Sequence, residues 1–183
     1  MSNHKLVPFF QDIANSFEVE AEITREGLKL DASYRLSGDL NSLLLPKTNK
    51  IKAERKGELW ETTCFEFFLK NIRHPFYLEF NLAPTGHWNC FSFDGYRQNM
   101  REYDGIQSVD INFEKGENHI LLESEIQLIP AEFFLPDDFN DGDIRCALSS
   151  VIENKEHVKT YWAPGHFSER PDFHKEENFS IQI

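Results

Sequence analysis

The chain has 183 residues, 19 Lys plus Arg against 31 Asp plus Glu, and so a formal net charge of -12. A phosphate-binding surface needs clustered cations that release counterions, so an acidic chain with scattered basic residues excludes nucleic acid and anionic membranes as expected partners. With 17 Phe, 5 Tyr and 3 Trp, the sequence has enough rigid apolar rings to fill a core and is not that of a disordered chain.

No internal repeat, low-complexity tract or Pro/Gly/Ser-rich linker divides the chain, and a single domain over residues 1–183 is expected. Residues 1–12 lack the h-region and cleavage site of a secretory signal, and no run approaches the roughly 20 apolar residues of a bilayer span. The expected compartment is the cytoplasm. Phe17, Val19, Ala21 and Ile23 alternate with Glu18, Glu20 and Glu22. After a Glu26-Gly27 turn, Leu28, Leu30, Ala32, Tyr34 and Leu36 alternate with Lys29, Asp31, Ser33 and Arg35. That period of two predicts a hairpin with one wet face. Residues 40–61 carry Leu43-Leu44-Leu45-Pro46 and then Lys47, Lys50, Lys52, Arg55 and Lys56. They read as a solvated connection with a helical turn rather than an anion site, because a charge run is usually a wet face. Residues 63–69, 76–82, 87–93, 119–129, 144–152, 160–162 and 179–183 read as strands between Pro, Gly, Asn and Asp clusters. Residues 130–134 predict one helical turn started by Pro130, and the tail after Pro164 a loop that returns to the last strand. Many short strands predict an all-β sandwich or barrel. Cys64, Cys90 and Cys146 are odd in number, far apart and set among apolar residues, which predicts reduced core thiols.

The stretches Trp60 to Leu69 and Tyr77 to Trp88 carry the most chemistry. In an extended chain Phe65, Phe67 and Leu69 share one face and Cys64, Glu66 and Phe68 the other, while Leu78, Phe80 and Leu82 oppose Tyr77, Glu79 and Asn81. If these strands are antiparallel neighbours, Glu66 lies opposite or diagonal to Glu79 with Asn81 beside them, at roughly 5 to 8 Å between side-chain roots. Two readings follow. One is a buried, mutually satisfied polar cluster that fixes the sheet register. The other is a ligand-facing surface suited to sugars, whose hydroxyls bond to Glu, Asn and Arg and whose apolar ring face stacks on an aromatic side chain. Trp60, Trp88 and Trp162 fall at strand ends or loop edges, where a stacking platform would sit. Arg97, in the segment after the Asp94-Gly95 turn, is placed to pair with Glu66 or Glu79 or to hold a ligand oxygen. The closing segment puts Asp172 and His174 on one side of an extended chain with His166 nearby, which reads as a structural hydrogen bond, and no spacing matches a zinc site, so no metal is assigned.

The sequence contains no glycine-rich phosphate loop, no Gly-x-Ser-x-Gly elbow and no His-Glu-x-x-His helix. The enzymatic reading that survives is a glycoside hydrolase using Glu66 and Glu79 as paired carboxylates.

Leu59-Trp60-Glu61-Thr62-Thr63-Cys64-Phe65-Glu66-Phe67-Phe68, Glu79-Phe80-Asn81-Leu82-Ala83-Pro84-Thr85-Gly86-His87-Trp88, Tyr96-Arg97-Gln98-Asn99-Met100, Tyr161-Trp162-Ala163 and Pro171-Asp172-Phe173-His174 occur in an order that resembles the bacterial DOMON-like group, relatives of family 9 carbohydrate-binding modules. The resemblance implies a two-sheet antiparallel β-sandwich of jelly-roll type. It also implies that Trp60, Glu66, Asn81, Trp88, Arg97 and Trp162 match the region where carbohydrate-binding relatives build their cleft. Other relatives bind haem through Met and His, but here Met100 lies in a polar segment with no assigned His opposite, so no cofactor is expected. The reading as a whole is a cytoplasmic, non-enzymatic sandwich that binds a saccharide or similar small polar ligand on the face of Glu66, Glu79 and Asn81, edged by Trp60, Trp88, Trp162 and Arg97. A protein-interaction module using the same face is a third reading.

Overall fold

In the computed structural model, which describes residues 3–10, 16–46, 52–130 and 143–183, the alternating segments are strands. Strand β1 (His4–Pro8) precedes the hairpin of β2 (Phe17–Glu26) and β3 (Lys29–Gly38), which turns at Gly27 with φ +60°. After β4 (Glu54–Arg55), the strands β5 (Cys64–Asn71), β6 (Tyr77–Leu82) and β7 (His87–Phe93) form a meander. The short β8 (Arg101–Glu102) leads to β9 (Ile106–Lys115) and β10 (His119–Leu128), and β11 (Ile144–Glu153), β12 (Lys159–Ala163) and β13 (Ile181–Gln182) complete the chain. The expected segments become strands with ends moved by a residue or two, except that residues 179–183 contribute only the two residues of β13. β1, β4, β8 and β9 join them. The connection over residues 40–61 contains two 3-10 turns, Leu40–Ser42 and Leu59–Glu61. Residues 47–51 and 131–134, which hold part of the Lys-rich stretch and most of the expected Pro130 turn, lie outside the described residues.

The all-β class holds, but the hydrogen bonding does not divide into two separate sheets. The order β4-β7-β6-β5-β11-β12-β1-β2-β3-β10-β9 is continuous, with β4 parallel to β7, so the sheet is single, mixed and curled. β1 makes the join. His4, Lys5 and Leu6 pair with Ala21, Glu20 and Val19 of β2, while Val7 and Pro8 pair with Ala163 and Trp162 of β12. One strand thus serves both halves, and the strands' right-handed twist curls the sheet around its apolar face.

That face is the core. Val19, Tyr34 and Leu36 from one half meet Phe65, Phe67 and Phe80 from the other, all buried. Phe67 stacks on Phe80 at 4.4 Å, and Tyr34 lies 5.0 Å from Phe65. Each such ring removed from water stabilises the fold by about 1.5–3 kcal/mol. Tyr34 also donates its hydroxyl hydrogen to the Glu66 carbonyl at 2.6 Å, so the core fixes the backbone of β5 from behind.

A second apolar cluster covers the opposite face of β5, β6, β7 and β11. Phe68, Tyr77, Phe91, Phe93 and Val151 are capped there by Phe173 and Phe179 of the C-terminal segment. Phe91 and Phe93, whose alternation suggests the main core, belong to this outer cluster, because on β7 the core-facing cluster holds Trp88 and Cys90 instead.

Gly38 ends β3 at the open end of the hairpin with φ +134°, where an added Cβ would lie 2.0 Å from the Ser16 carbonyl oxygen. Gly38→Ala is therefore expected to cost about 2 kcal/mol or more. Chemical denaturation checks this: the midpoint drops with an unchanged slope.

Candidate functional site

The site rises from strand parity. On β5 the core takes Phe65, Phe67 and Leu69, leaving Cys64, Glu66 and Phe68 on the outer face. Antiparallel pairing sets Glu66 opposite Asn81 and Phe68 opposite Glu79, so the two glutamates are diagonal neighbours. On the other side Ser149 of β11 pairs with Glu66.

The two carboxylates form the floor of a cavity of about 400 Å³. Its walls are Trp60 from the 3-10 turn before β5, Phe93, Tyr161 of β12, and Phe173 and His174 of the C-terminal segment, with Arg97 and Met100 at the rim. Trp60 is held by an edge-on contact to Phe91, centroids 5.5 Å apart.

Glu66 and Glu79 are only 3% and 6% exposed. Ser149 Oγ donates to Glu66 Oε2 at 3.1 Å, and Asn81 Nδ2 donates to Glu79 Oε1 at 2.9 Å. Cys64 Sγ donates to Asn81 Oδ1 at 3.4 Å, which orients that amide. His174 Nε2 lies 3.6 Å from Glu79 Oε2, and its Nδ1 is 2.7 Å from the Tyr77 hydroxyl, which accepts from the Arg97 backbone N–H at 3.1 Å. All these groups are satisfied when Tyr77 donates to Nδ1 and the Nε2–H of a neutral His174 faces Glu79.

Burial pushes Glu66 up to about 8, helped by the charge of Glu79, and pushes Glu79 up to about 7 against the pull of Asn81 and Arg97. It pushes His174 down to about 3, with the positive field of Arg97 adding to the effect. The pair therefore holds a proton near neutral pH. Burial also pushes all three cysteine thiols up, which keeps them from acting as nucleophiles.

Four of the residues read from the sequence, Trp60, Glu66, Glu79 and Arg97, line this cavity, and Asn81 lies beneath it. Trp88 and Trp162 do not line it. They project to the core face, one residue out of phase with Asn89 and Tyr161. Trp162 is 2% exposed and donates its indole N–H to Thr160 Oγ1 at 2.8 Å. Trp88 packs against the core under the guanidinium of Arg55, 4.6 Å from its ring centroid. Arg55 also donates to Asn89 Oδ1 and the Tyr103 carbonyl, so this cation of the basic stretch is built into the fold rather than solvated.

Arg97 pairs with neither glutamate. Its backbone sits at φ +52° in a tight turn, and its guanidinium meets Asp172 Oδ1 at 3.2 Å. Asp172 also accepts from the His174 backbone N–H, so the segment turns there instead of running extended. His166 lies elsewhere, against Phe9 and the Val7 carbonyl. Among the described residues no three His, Cys, Asp or Glu side chains converge as a metal site. Sequence reasoning missed Tyr161, Phe173 and Ser149 as site residues. The signal for Tyr161 was present, since it pairs with Val151, Val151 with Cys64, and Cys64 shares the face of Glu66.

No protein-family profile matches the chain, and no curated protein matches it. Among solved structures it is similar to a candidate carbohydrate-binding protein of Bacteroides uniformis, with a TM-score of 0.62 and 17% identity over 98% of this chain and 84% of that one. A family 9 carbohydrate-binding module of Caldicellulosiruptor kristjanssonii in complex with glucose aligns at a TM-score of 0.42 and 8% identity, over 80% of this chain and 66% of that one. The chain therefore shares its fold with the Bacteroides protein, and the chemistry of the site has to be argued from its own residues.

Proposed function

We propose that the protein is a non-enzymatic binding module for a saccharide, held in the cavity over Glu66 and Glu79. One observation carries the reading: two buried, hydrogen-bonding carboxylates form the floor of an aromatic-walled cavity of about 400 Å³, a size suited to a small ligand. Sugar hydroxyls donate to the carboxylates and accept from the rim guanidinium of Arg97, while the Trp60 indole offers a face for the ring. The likeness to the Bacteroides protein supports this through its described role. The reading extends to the architecture: the two halves of the curled sheet are the leaves of a jelly-roll sandwich of DOMON-like type, with β1 passing between them. It also keeps the cytoplasm as the place of action.

A glycan array followed by tryptophan-fluorescence titration tests the proposal. At least one saccharide is expected to give a saturable response below millimolar that weakens tenfold or more in Trp60→Ala. Silence of the wild type toward every sugar below millimolar overturns it.

The glycosidase reading has one observation in its favour: Glu66 and Glu79 are diagonal neighbours on adjacent strands and both line the cavity, as a catalytic carboxylate pair needs. Turnover of an aryl glycoside that vanishes in both Glu66→Gln and Glu79→Gln would establish it in place of simple binding.

A further inference from the structure

The charged side chains that line the cavity are paired with opposite charge, except on its floor. Lys159 Nζ meets Glu61 Oε2 at 2.9 Å, and Arg97 meets Asp172 Oδ1 at 3.2 Å. Glu66 and Glu79 receive hydrogen bonds from neutral donors, the Ser149 hydroxyl and the Asn81 amide, and the neutral ring of His174 lies 3.6 Å from Glu79. Arg97 exerts its field on both but hydrogen-bonds to neither. Two neighbouring carboxylates, each more than nine-tenths buried, thus lie at the floor of a cavity without a cation of their own. Ionising such a pair is costly until a positive charge joins it.

We infer that the ligand brings that charge: the cavity takes an amino sugar whose protonated primary amine sits between Glu66 and Glu79 while its ring lies against Trp60. The inference rests on the reading of the cavity as a saccharide site and adds the class of saccharide. An ammonium group has three donors and no acceptor, which matches two acceptor-only carboxylates. The walls favour it as well, because Trp60, Phe93 and Tyr161 are aromatic and a desolvated cation is attracted to ring faces. A neutral hydroxyl at the same place leaves the pair holding its proton. An N-acetyl group removes both the charge and two of the three hydrogens and adds bulk.

Binding is then an exchange in which the ammonium enters and the proton shared by the glutamates leaves to solvent. The groups facing the pair are Cys64 on β5, Tyr77 and Asn81 on β6, Ser149 on β11, and Arg97, Asp172 and His174 from the loops. None of them supplies a second mobile proton near neutrality, because His174 stays neutral there and burial holds the Cys64 and Tyr77 protons in place.

Isothermal titration calorimetry tests this with glucosamine, galactosamine and mannosamine, each beside its neutral parent and its N-acetyl derivative, at pH 7 in two buffers of different ionisation enthalpy. At least one amine is expected to bind tenfold or more tighter than its two neutral counterparts, with release of a proton to buffer. Glu79→Gln and Glu66→Gln are each expected to erase both the preference of the amine over its neutral parent and the proton release, whatever the variants do to the affinity of the neutral sugars themselves. Unchanged or raised thermal midpoints would show that both variants are folded. Neutral parents binding as tightly as the amines overturns the inference and leaves saccharide binding standing. A protein that binds none of the nine sugars overturns the inference, and one that is also silent toward the whole glycan array overturns the saccharide reading with it.

Discussion

Trp162→Ala is expected to destabilise the protein by about 3–5 kcal/mol, whereas Trp60→Ala changes stability by about 1 kcal/mol or less. Trp162 lies in the core, and its partners across the ladders are Ser150 of β11 and Pro8 of β1. It therefore fills the seam at which β12 hands the curled sheet to β1, and the half formed by β2, β3, β9 and β10 attaches through that strand. Truncation leaves a void too well buttressed to collapse and removes the indole donor from Thr160. Trp60 is only partly buried and stands on a short 3-10 turn at the cavity wall, so its loss is felt by a ligand more than by the fold. Urea denaturation separates the two. A Trp162→Ala protein within about 1 kcal/mol of wild type would refute the assignment of this residue to the seam.

The second large effect is on pH. Folding raises Glu66 to about 8 and Glu79 to about 7, while in the unfolded chain both titrate near 4.5. Between pH 4.5 and 8 the folded state binds more protons than the unfolded one, so the pair's contribution is full below about pH 4.5 and is lost as pH rises toward 8. Each pKa unit by which folding raises a carboxyl group is worth roughly 1.4 kcal/mol, so the loss over this range amounts to several kcal/mol. His174 acts in the opposite sense. Lowered from 6.5 to about 3, it withdraws stability as pH falls through that range. The double variant Glu66→Gln/Glu79→Gln isolates the carboxylates: subtracting its thermal midpoints from those of wild type between pH 5 and 9 is expected to give a difference that grows against wild type up to about pH 8 and then levels off. A difference that stays flat would mean that the two carboxyl groups are hydrated and titrate normally.

Much of this arrangement was legible in the sequence, and the reason is period two. Alternation alone put Phe65, Phe67 and Phe80 on one face and Glu66, Glu79 and Asn81 on the other, and the structure keeps both sets. The same rule, applied along β7 and β12, would have sent Trp88 and Trp162 inward. Placing them at the cleft treated strand ends as loops, whereas His87 begins β7 and Ala163 ends β12. Phe91 and Phe93 alternate as core residues do, yet a strand covered on both faces gives each face an apolar set, and only the partner strands tell which face is which. The capping residues Phe173 and His174 come from a segment of turns, whose return over the sheet no local pattern announces. Nor does local sequence show that Arg97 reaches Asp172 rather than a glutamate, since the two are 75 residues apart and both carboxylate types were in play. The join through β1 depends on a five-residue strand whose two edges serve different neighbours, a choice visible only once β2 and β12 are in place.

The central claim, that a saccharide occupies the cavity walled by Trp60 and floored by Glu66 and Glu79, is tested most directly by following the three indole N–H resonances in a ¹⁵N-labelled sample during titration with the glycans that the array selects. The account predicts that the Trp60 resonance moves saturably while those of Trp88, beneath Arg55, and Trp162, in the core seam, stay in place. Movement of Trp88 or Trp162 with Trp60 unmoved, or no movement of any indole up to saturating sugar, would contradict it.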